Sequence, residues 1–360
     1  MSEKQNKTPP NPAEVPRFCG LSTFARLPQR HEVSQFDVAV VGVPFDTGST
    51  FRTGARFGPE AIRKASRLIR QYNMAQSVYP FNVQQCIDAG DIVCNPFRIE
   101  TAVREIYDGA ADLQKEAQHL CVLGGDHTLS YPILKAVSEK YGPVALVHFD
   151  SHFDTWDEYF GQCLTHGTPF RRAQEQGYVD TDHSIHVGIR GSIHDHLDIK
   201  RDEALGYKTV FCDEIDRLGI QGVIKKIQTR VGDRPIYLSI DIDVVDPAFA
   251  PGTGTPEPGG FSSRELLQML RGLKGCNIVG CDIVEVSPSY DHADITAQLA
   301  ANVAYEMICL LGNRVRLGGR QAWSPINTHS DKEAGEQPPN AEENCRHGEG
   351  EEVMTTIEKV

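Results

Sequence analysis

This chain has no excess of positive charge, no paired-cysteine spacing and no long hydrophobic run, and each absence closes off a class of function. Lys and Arg number 36 against 49 Asp and Glu, for a net charge of −13. Without a basic stripe to neutralise phosphates, nucleic acid is excluded as a partner. The ten cysteines (19, 86, 94, 121, 163, 212, 276, 281, 309, 345) form no CxxC and no repeated spacing. Neither a zinc finger nor a disulfide framework is indicated. Cys121, Cys281 and Cys309 sit inside apolar segments, where a thiol acts as a small hydrophobe, and this usage fits a reducing cytosol, so a cytoplasmic location is expected. Residues 1–16 are polar and proline-rich with no apolar h-region, so no secretory leader is expected. No run approaches the length of a bilayer span, so no membrane partner is expected.

What the chain does contain is an alternation of apolar strands and helical stretches. Strands are expected over Asp37 to Val43, Gln85 to Ile92, His119 to Leu123, Val144 to Val147, Ser184 to Ile189, Thr209 to Cys212, Pro235 to Asp241 and Asn277 to Val286. Helical spacing fills Glu60 to Arg70 with Pro59 at its start, Ile99 to Gln118, Thr128 to Tyr141, a stretch ending near Gly177, Ile215 to Val231, Ser262 to Leu273 with Ser263 as cap, and Asp294 to Leu311. About eight buried strands separated by helices argue for an α/β fold with a mainly parallel sheet covered on both faces. On the count alone the sheet is open or closed into a barrel, and in either case ligands gather at the carboxyl ends of strands. Residues 1–16 read as a disordered arm, 17–323 as one domain, and 324–360 as an acidic disordered tail, which from His329 on carries nine acidic and three basic residues.

The most informative stretch is His148-Phe149-Asp150-Ser151-His152-Phe153-Asp154. It follows a buried strand and sets Asp150, His152 and Asp154 at alternate positions, which in an extended chain point to one side. Charged groups converging at the mouth of a buried strand need a partner, and a divalent ion supplies one. Two other strand ends carry matching parts: His127 in Gly124-Gly125-Asp126-His127, and Asp241 with Asp243 in Ser239-Ile240-Asp241-Ile242-Asp243. Four carboxylates and two imidazoles are too acidic a set for one ordinary ion and suit a two-metal site with bridging carboxylates. Oxygen-rich sites with one His each favour Mn²⁺ over a structural zinc, with Ni²⁺ not separable by ligand type.

These three segments resemble the metal motifs of the ureohydrolases, the arginase and agmatinase family. Gly54-Ala-Arg-Phe-Gly-Pro59, His166-Gly-Thr-Pro-Phe170, Gly188-Ile-Arg-Gly191, Gly252-Thr-Gly-Thr-Pro256 and Glu285-Val-Ser-Pro288 match as well. The resemblance covers roughly residues 18–320 and is strongest to the agmatinase-like branch, through Ser22 to Pro28 and Thr255 to Glu257. One departure is Ser151, where the family usually has Ala; a side chain so small is expected to leave the ligands unaffected. The resemblance implies a three-layer α/β/α sandwich on an eight-stranded, mainly parallel, open sheet, assembled as trimers or hexamers. It implies one metal on His127, Asp150, Asp154 and Asp241, and a second on Asp150, His152, Asp241 and Asp243. His166 matches the family's proton-transferring His, and Glu285 is assigned the substrate guanidinium through paired charge-assisted hydrogen bonds.

The implied reaction splits a small cationic guanidino compound, agmatine by default, into urea and an amine. A guanidinium carbon is a poor electrophile, so the attacking water must be activated and the departing amine protonated. Guanidinobutyrate, guanidinopropionate, free guanidine or a biguanide such as metformin are alternative substrates. A catalytically silent subunit paired with an active paralogue, and a single-zinc deacetylase on a related fold, are the readings from other classes. The complete ligand set speaks against both. Asp126 and Asp246 are expected to support ligands or cap turns. Trp156, Asp157 and Tyr159 are candidates for the pocket mouth, and Arg56 and Arg190 for holding loops through carboxylates.

Overall fold

The apolar runs become the strands of a single sheet. The computed structural model describes residues 6–316, with side chains to 313. Its strands are β1 (Val38–Gly42), β2 (Cys86–Asp91), β3 (His119–Leu123), β4 (Ala145–Phe149), β5 (Ile185–Ile189), β6 (Lys208–Phe211), β7 (Ile236–Asp241) and β8 (Ile278–Val284). The spatial order is β2-β1-β3-β8-β7-β4-β5-β6. Every pairing is parallel. The two end strands do not pair with each other, so the sheet is open. β1, β3, β4, β5, β7 and β8 are buried along their whole length, because helices cover both faces.

The helices are α1 (Gly58–Ser66), α2 (Pro80–Val83), α3 (Ile99–Glu116), α4 (Ser130–Tyr141), α5 (Pro169–Glu175), α6 (Leu197–Ala204), α7 (Cys212–Val231), α8 (Ser263–Gly272) and α9 (Ile295–Arg316). Strand residues alternate between two apolar clusters. Val38 and Val40 belong to the cluster that holds Ile62, Ile227, Leu266 and Ile308 from α1, α7, α8 and α9. Ala39 and Val41 face Ile106, Ile133 and Phe170 from α3, α4 and α5. The result is three layers, as the resemblance implies. Among the described helices α9 is apolar and long enough to cross a bilayer, yet 83% of its most apolar window is buried inside the protein. It is a core helix.

Several boundaries moved. The cap of α8 is Ser262, not Ser263: Ser262 Oγ accepts the Glu265 N–H, and the Glu265 carboxylate accepts the Ser262 N–H. Helix α6 was not expected at all. Its start is marked by Asp195, which accepts the Leu197 N–H, and Asp198, which accepts the Asp195 N–H just ahead of the helix, a D-x-x-D signal that was legible. The arm expected to be disordered is laid on the body over its described part. Lys7 and Gln85 exchange hydrogen bonds. Gln71 donates to the Pro9 carbonyl, and Arg26 to those of Pro10 and Val15. A polar segment with nothing to bury is thus held through its backbone carbonyls. Phe24, Ala25 and Leu27 enter the core, whereas Phe18 and Leu21 stay exposed. Cys19, Cys86, Cys94, Cys121, Cys212, Cys276, Cys281 and Cys309 are free thiols. The acidic tail, 324–360, lies outside the described residues.

Candidate metal centre

The chain fills the middle of the sheet last, and this assembles the centre. β3 and β4 follow one another in sequence but are separated by β8 and β7. The carboxyl ends of β3, β8, β7 and β4 are therefore side by side, and each carries one part: His127, Glu285, the Asp241–Asp243 pair and the 150–154 loop. All six predicted ligands converge. His127 Nδ1 lies 2.9 Å from Asp154 Oδ2, 3.2 Å from Asp150 Oδ2 and 3.4 Å from Asp241 Oδ2. His152 Nδ1 lies 3.1 Å from Asp243 Oδ2 and 3.4 Å from Asp150 Oδ1. Asp150 is common to both groups, the pattern a shared ligand requires.

The convergence does not arise by the alternation read from the sequence. β4 ends at Phe149, and the ligand loop curls. The His152 N–H bonds Asp150 Oδ1 at 2.6 Å. Asp154 takes a left-handed backbone, φ 54°, a conformation that costs energy in a non-glycine residue and concentrates at functional sites. The turn after β7 repeats the device, with the Asp243 N–H on Asp241 Oδ1 at 2.8 Å. Glu285 leaves β8 the same way, φ 63°.

Whether these residues suit a metal is answered by His127. Asp282, buried in β8, accepts hydroxyl protons from Ser130, Tyr237 and Ser239, each at 2.7 Å. Ser239 has one proton and gives it to Asp282, so at 2.9 Å it accepts from His127 Nε2–H. His127 Nδ1 is fully buried and makes no hydrogen bond among the described residues; burial lowers its pKa, but the carboxylates around it outweigh that and raise it well above the usual imidazole value. A buried nitrogen facing three carboxylate oxygens draws a cation between them, a proton in the metal-free chain that a divalent ion displaces. Burial, with Asp243 and Asp150 nearby, pushes Asp241 well above the usual carboxylate range. Burial and Asp150 push Asp154 up as well. The donor set fits a pair of divalent ions.

Beside it, His166 is held over Glu285. Its Nδ1 is 3.1 Å from Glu285 Oε1, and that oxygen also accepts the His127 N–H at 2.9 Å. Burial lowers the His166 pKa, but the Glu285 pairing outweighs it and raises it to about 9. Thr50 offers Nε2 two contacts of opposite kind: its Oγ1 at 2.7 Å can take a proton, and its N–H at 3.2 Å suits a bare nitrogen. Both protonation states of His166 are housed. Glu285 is 2% exposed, so it lies beneath His166 rather than on the open wall. Its Oε1 is shared by His166 and the His127 backbone N–H.

A cavity of about 380 Å³ opens over these groups, lined by Thr50, Phe51, His152, Trp156, Tyr159, His166 and His194 among others. Trp156 and Tyr159 line this cavity. Asp157 does not; it pairs with Arg171 and Arg172. Asp126 caps the turn holding His127 and ties it to the 44–57 loop, accepting the Thr128 and Gly48 N–H groups. Asp246 caps a turn through Ala248, Gly259 and Gly260. Arg56 pairs with buried Asp46. Arg190 holds loops through backbone carbonyls of Gly188, Asp243, Val244, Glu257 and Pro258, not through carboxylates. Ser151 is not silent: its Oγ donates to Asp243 Oδ1 at 2.7 Å. Sequence reasoning also missed His148, whose Nε2 is 2.8 Å from Asp150 Oδ2; its place two residues before Asp150 was the available signal. Burial lowers the His148 pKa to about 3.

The glycine before Asp126 is required by close approach. A Cβ on Gly125 would run into the Phe45 carbonyl, so Gly125→Ala must displace the 44–57 loop or the His127 turn. A loss of about 1–3 kcal/mol is expected from such overpacking, measured as a drop in melting temperature.

Comparison with known proteins agrees with this geometry. The model of the arginase family matches residues 36–309. The chain is 42% identical to a guanidinobutyrase of Pseudomonas aeruginosa over 306 residues, covering 84% of this chain and 96% of that one. It is 43% identical to the mitochondrial agmatinase of Gallus gallus, covering 84% and 89%. Among solved structures, the proclavaminate amidinohydrolase of Streptomyces clavuligerus superposes with a TM-score of 0.80 at 42% identity, covering 83% of this chain and 99% of that one. An open parallel sheet with His127, Glu285, two aspartate turns and the 150–154 loop at its central strand ends, and a family match over most of its length, make this chain a member of the arginase family.

Proposed function

We propose that the protein is a binuclear-metal hydrolase that cleaves an agmatine-like alkylguanidine into urea and an amine. The observation that carries the reading is the buried His127 Nδ1, without a hydrogen-bond partner among the described residues and facing three carboxylates, beside a histidine that holds a proton at neutral pH. His127, Asp150, Asp154 and Asp241 would hold one ion, and Asp150, His152, Asp241 and Asp243 the other, with Mn²⁺ preferred on donor chemistry. When bound, such a pair lowers the pKa of water towards neutrality. The chain's own residues do the rest. Glu285 Oε2 accepts a guanidinium N–H. His166 carries a proton on Nε2, parked against Thr50 Oγ1, and delivers it to the departing amine. The cavity volume suits a small ligand.

The wall supports a neutral or cationic tail over a carboxylate. Its lining residues include Phe51, Trp156, Tyr159 and His194, and no lysine or arginine. Aromatic faces attract cations, and an anion would lack a fixed partner there. Trimeric or hexameric assembly is part of the proposal, supported by exposed Phe18, Leu21, Leu68 and Met74.

Urea release from agmatine, guanidinobutyrate, guanidinopropionate, guanidine and metformin, with Mn²⁺ and with Ni²⁺, tests this reading. The expected result is a kcat/KM for agmatine at least about tenfold above the carboxylate-bearing compounds, since one charged contact is worth roughly 1.4 kcal/mol or more. No urea from any of them in a metal-loaded enzyme would instead indicate a silent subunit.

A further inference from the structure

Beneath the candidate ligands runs a row of polar side chains that the proposed reaction does not use. His186 on β5, His148 on β4, Ser239 on β7 and Asp282 on β8 stand in one register line across the sheet. All are fully buried. Ser239 and Asp282 serve His127. The other half of the row leads elsewhere. His148 Nδ1 and His186 Nδ1 are 2.7 Å apart, and His186 Nε2 is 3.3 Å from Asp202 Oδ1 on α6. Thr155, next to the ligand loop, donates to the same Asp202 oxygen at 2.8 Å. Three buried ionisable groups in line are costly unless each is paired.

Hydrogen-bond direction follows from what each atom can do. The Asp150 carboxylate only accepts, so His148 donates from Nε2. His148 Nδ1 then accepts, and the proton between the two rings belongs to His186. Both ring donors point towards Asp150, and the Asp202 carboxylate lies beside the far nitrogen of His186 without a hydrogen bond to it. The rings are clamped: His148 packs against Phe170 with centroids 4.4 Å apart, and His186 against Tyr207 at 4.6 Å. Two donors thereby fix the plane of Asp150. The His152 N–H, from the loop, holds Oδ1, and His148, from the sheet below, holds Oδ2.

We infer that His148, supported by His186 and Asp202, is a positioning residue that aims Asp150 at the metal pair. The inference rests on the metal reading above. Partners of this kind change metal affinity or activity by about 10–100-fold. His148→Leu removes the donor. His148→Gln restores one near the Nε2 position. His186→Phe with Asp202→Leu replaces the supporting pair by apolar groups of similar size, a change often neutral or stabilising for a buried charged pair.

The test is calorimetric titration of Mn²⁺ into metal-free full-length protein, with melting temperature and kcat and KM recorded alongside. His148→Leu is expected to weaken Mn²⁺ binding about 10–100-fold and lower kcat while KM stays near wild type. His148→Gln is expected to recover most of both. The double variant leaves the Thr155 hydroxyl and His148 Nδ1 without partners, so a modest fall in melting temperature is expected, together with a severalfold loss of Mn²⁺ affinity at near wild-type KM, an outcome a merely structural role would not produce. Unchanged affinity in both folded His148→Leu and the double variant would overturn the positioning chain, as would a His148→Gln no better than His148→Leu. Failure of the wild type itself to bind Mn²⁺ would overturn the metal reading and this inference together.

Discussion

Asp150→Ala and Asp241→Ala each abolish turnover, with kcat expected to fall on the order of a thousandfold or more. The size follows from the several kcal/mol that metal activation contributes, at about 1.4 kcal/mol per tenfold. Asp150 touches both histidine-centred groups, so its removal opens both. Asp241 contacts His127 and accepts the Asp243 N–H, so its loss disturbs a side chain assigned to each ion. Near-normal turnover in either variant, with circular dichroism unchanged, would remove the metal assignment.

The same two variants should part company when metal-free. Asp241 has a raised pKa in the folded chain. A carboxyl raised in this way costs stability above its unfolded value near 4, and the cost grows as pH climbs to the folded value. Without metal, Asp241→Ala should therefore melt no lower than wild type at pH 7–8. Asp150 is the opposite case: burial raises it, but His148 and His127 overcome that and hold it well below the usual range. Its stabilising contribution is present above the unfolded value and is lost as pH falls through the folded one, so metal-free Asp150→Ala should melt lower. Melting curves of the two metal-free variants against pH read this directly; the same sign for both would break the electrostatic account.

His166→Ala is the second large effect. General acid catalysis is worth about 10²–10⁴-fold, and that loss is expected in kcat with both ions retained, because His166 contacts Glu285 and Thr50 rather than the ligand cluster. The pH profile supplies the sign. With a folded pKa of about 9, His166 keeps its proton below that pH and loses it above. Wild-type kcat should fall on the alkaline side near pH 9, and the fall should vanish in His166→Ala. Metal content by mass spectrometry and a pH–rate series decide it. Loss of metal from the variant would make His166 a structural element of the centre, and an unchanged alkaline limb would assign that limb to another group.

Much of this protein was legible in its residues. Fully buried parallel strands are continuous apolar runs, so the strands from His119 to Leu123 and from Pro235 to Asp241 could be read directly. The ligands could be named because carboxylates and imidazoles at the ends of such runs have no other reason to be there. Less legible were elements whose signal is local and polar. Helix α6 begins on Asp195 and Asp198 rather than on an apolar period. The 6–16 arm is held through carbonyls that any sequence possesses. Arg190 binds backbone, which carries no residue identity.

Composition and hydrophobic period were enough to determine an α/β fold on a mainly parallel, covered sheet and the list of metal-seeking side chains, because burial and charge are properties of each residue; the open three-layer form came from the family resemblance. Only the tertiary structure decided which of them meet. Strands β7 and β8, last in sequence, enter between β3 and β4, and the register across them sets His186, His148, Ser239 and Asp282 in one line. Neighbour identity in a parallel sheet depends on crossover connections, and a one-residue slip would turn that whole line to the other face.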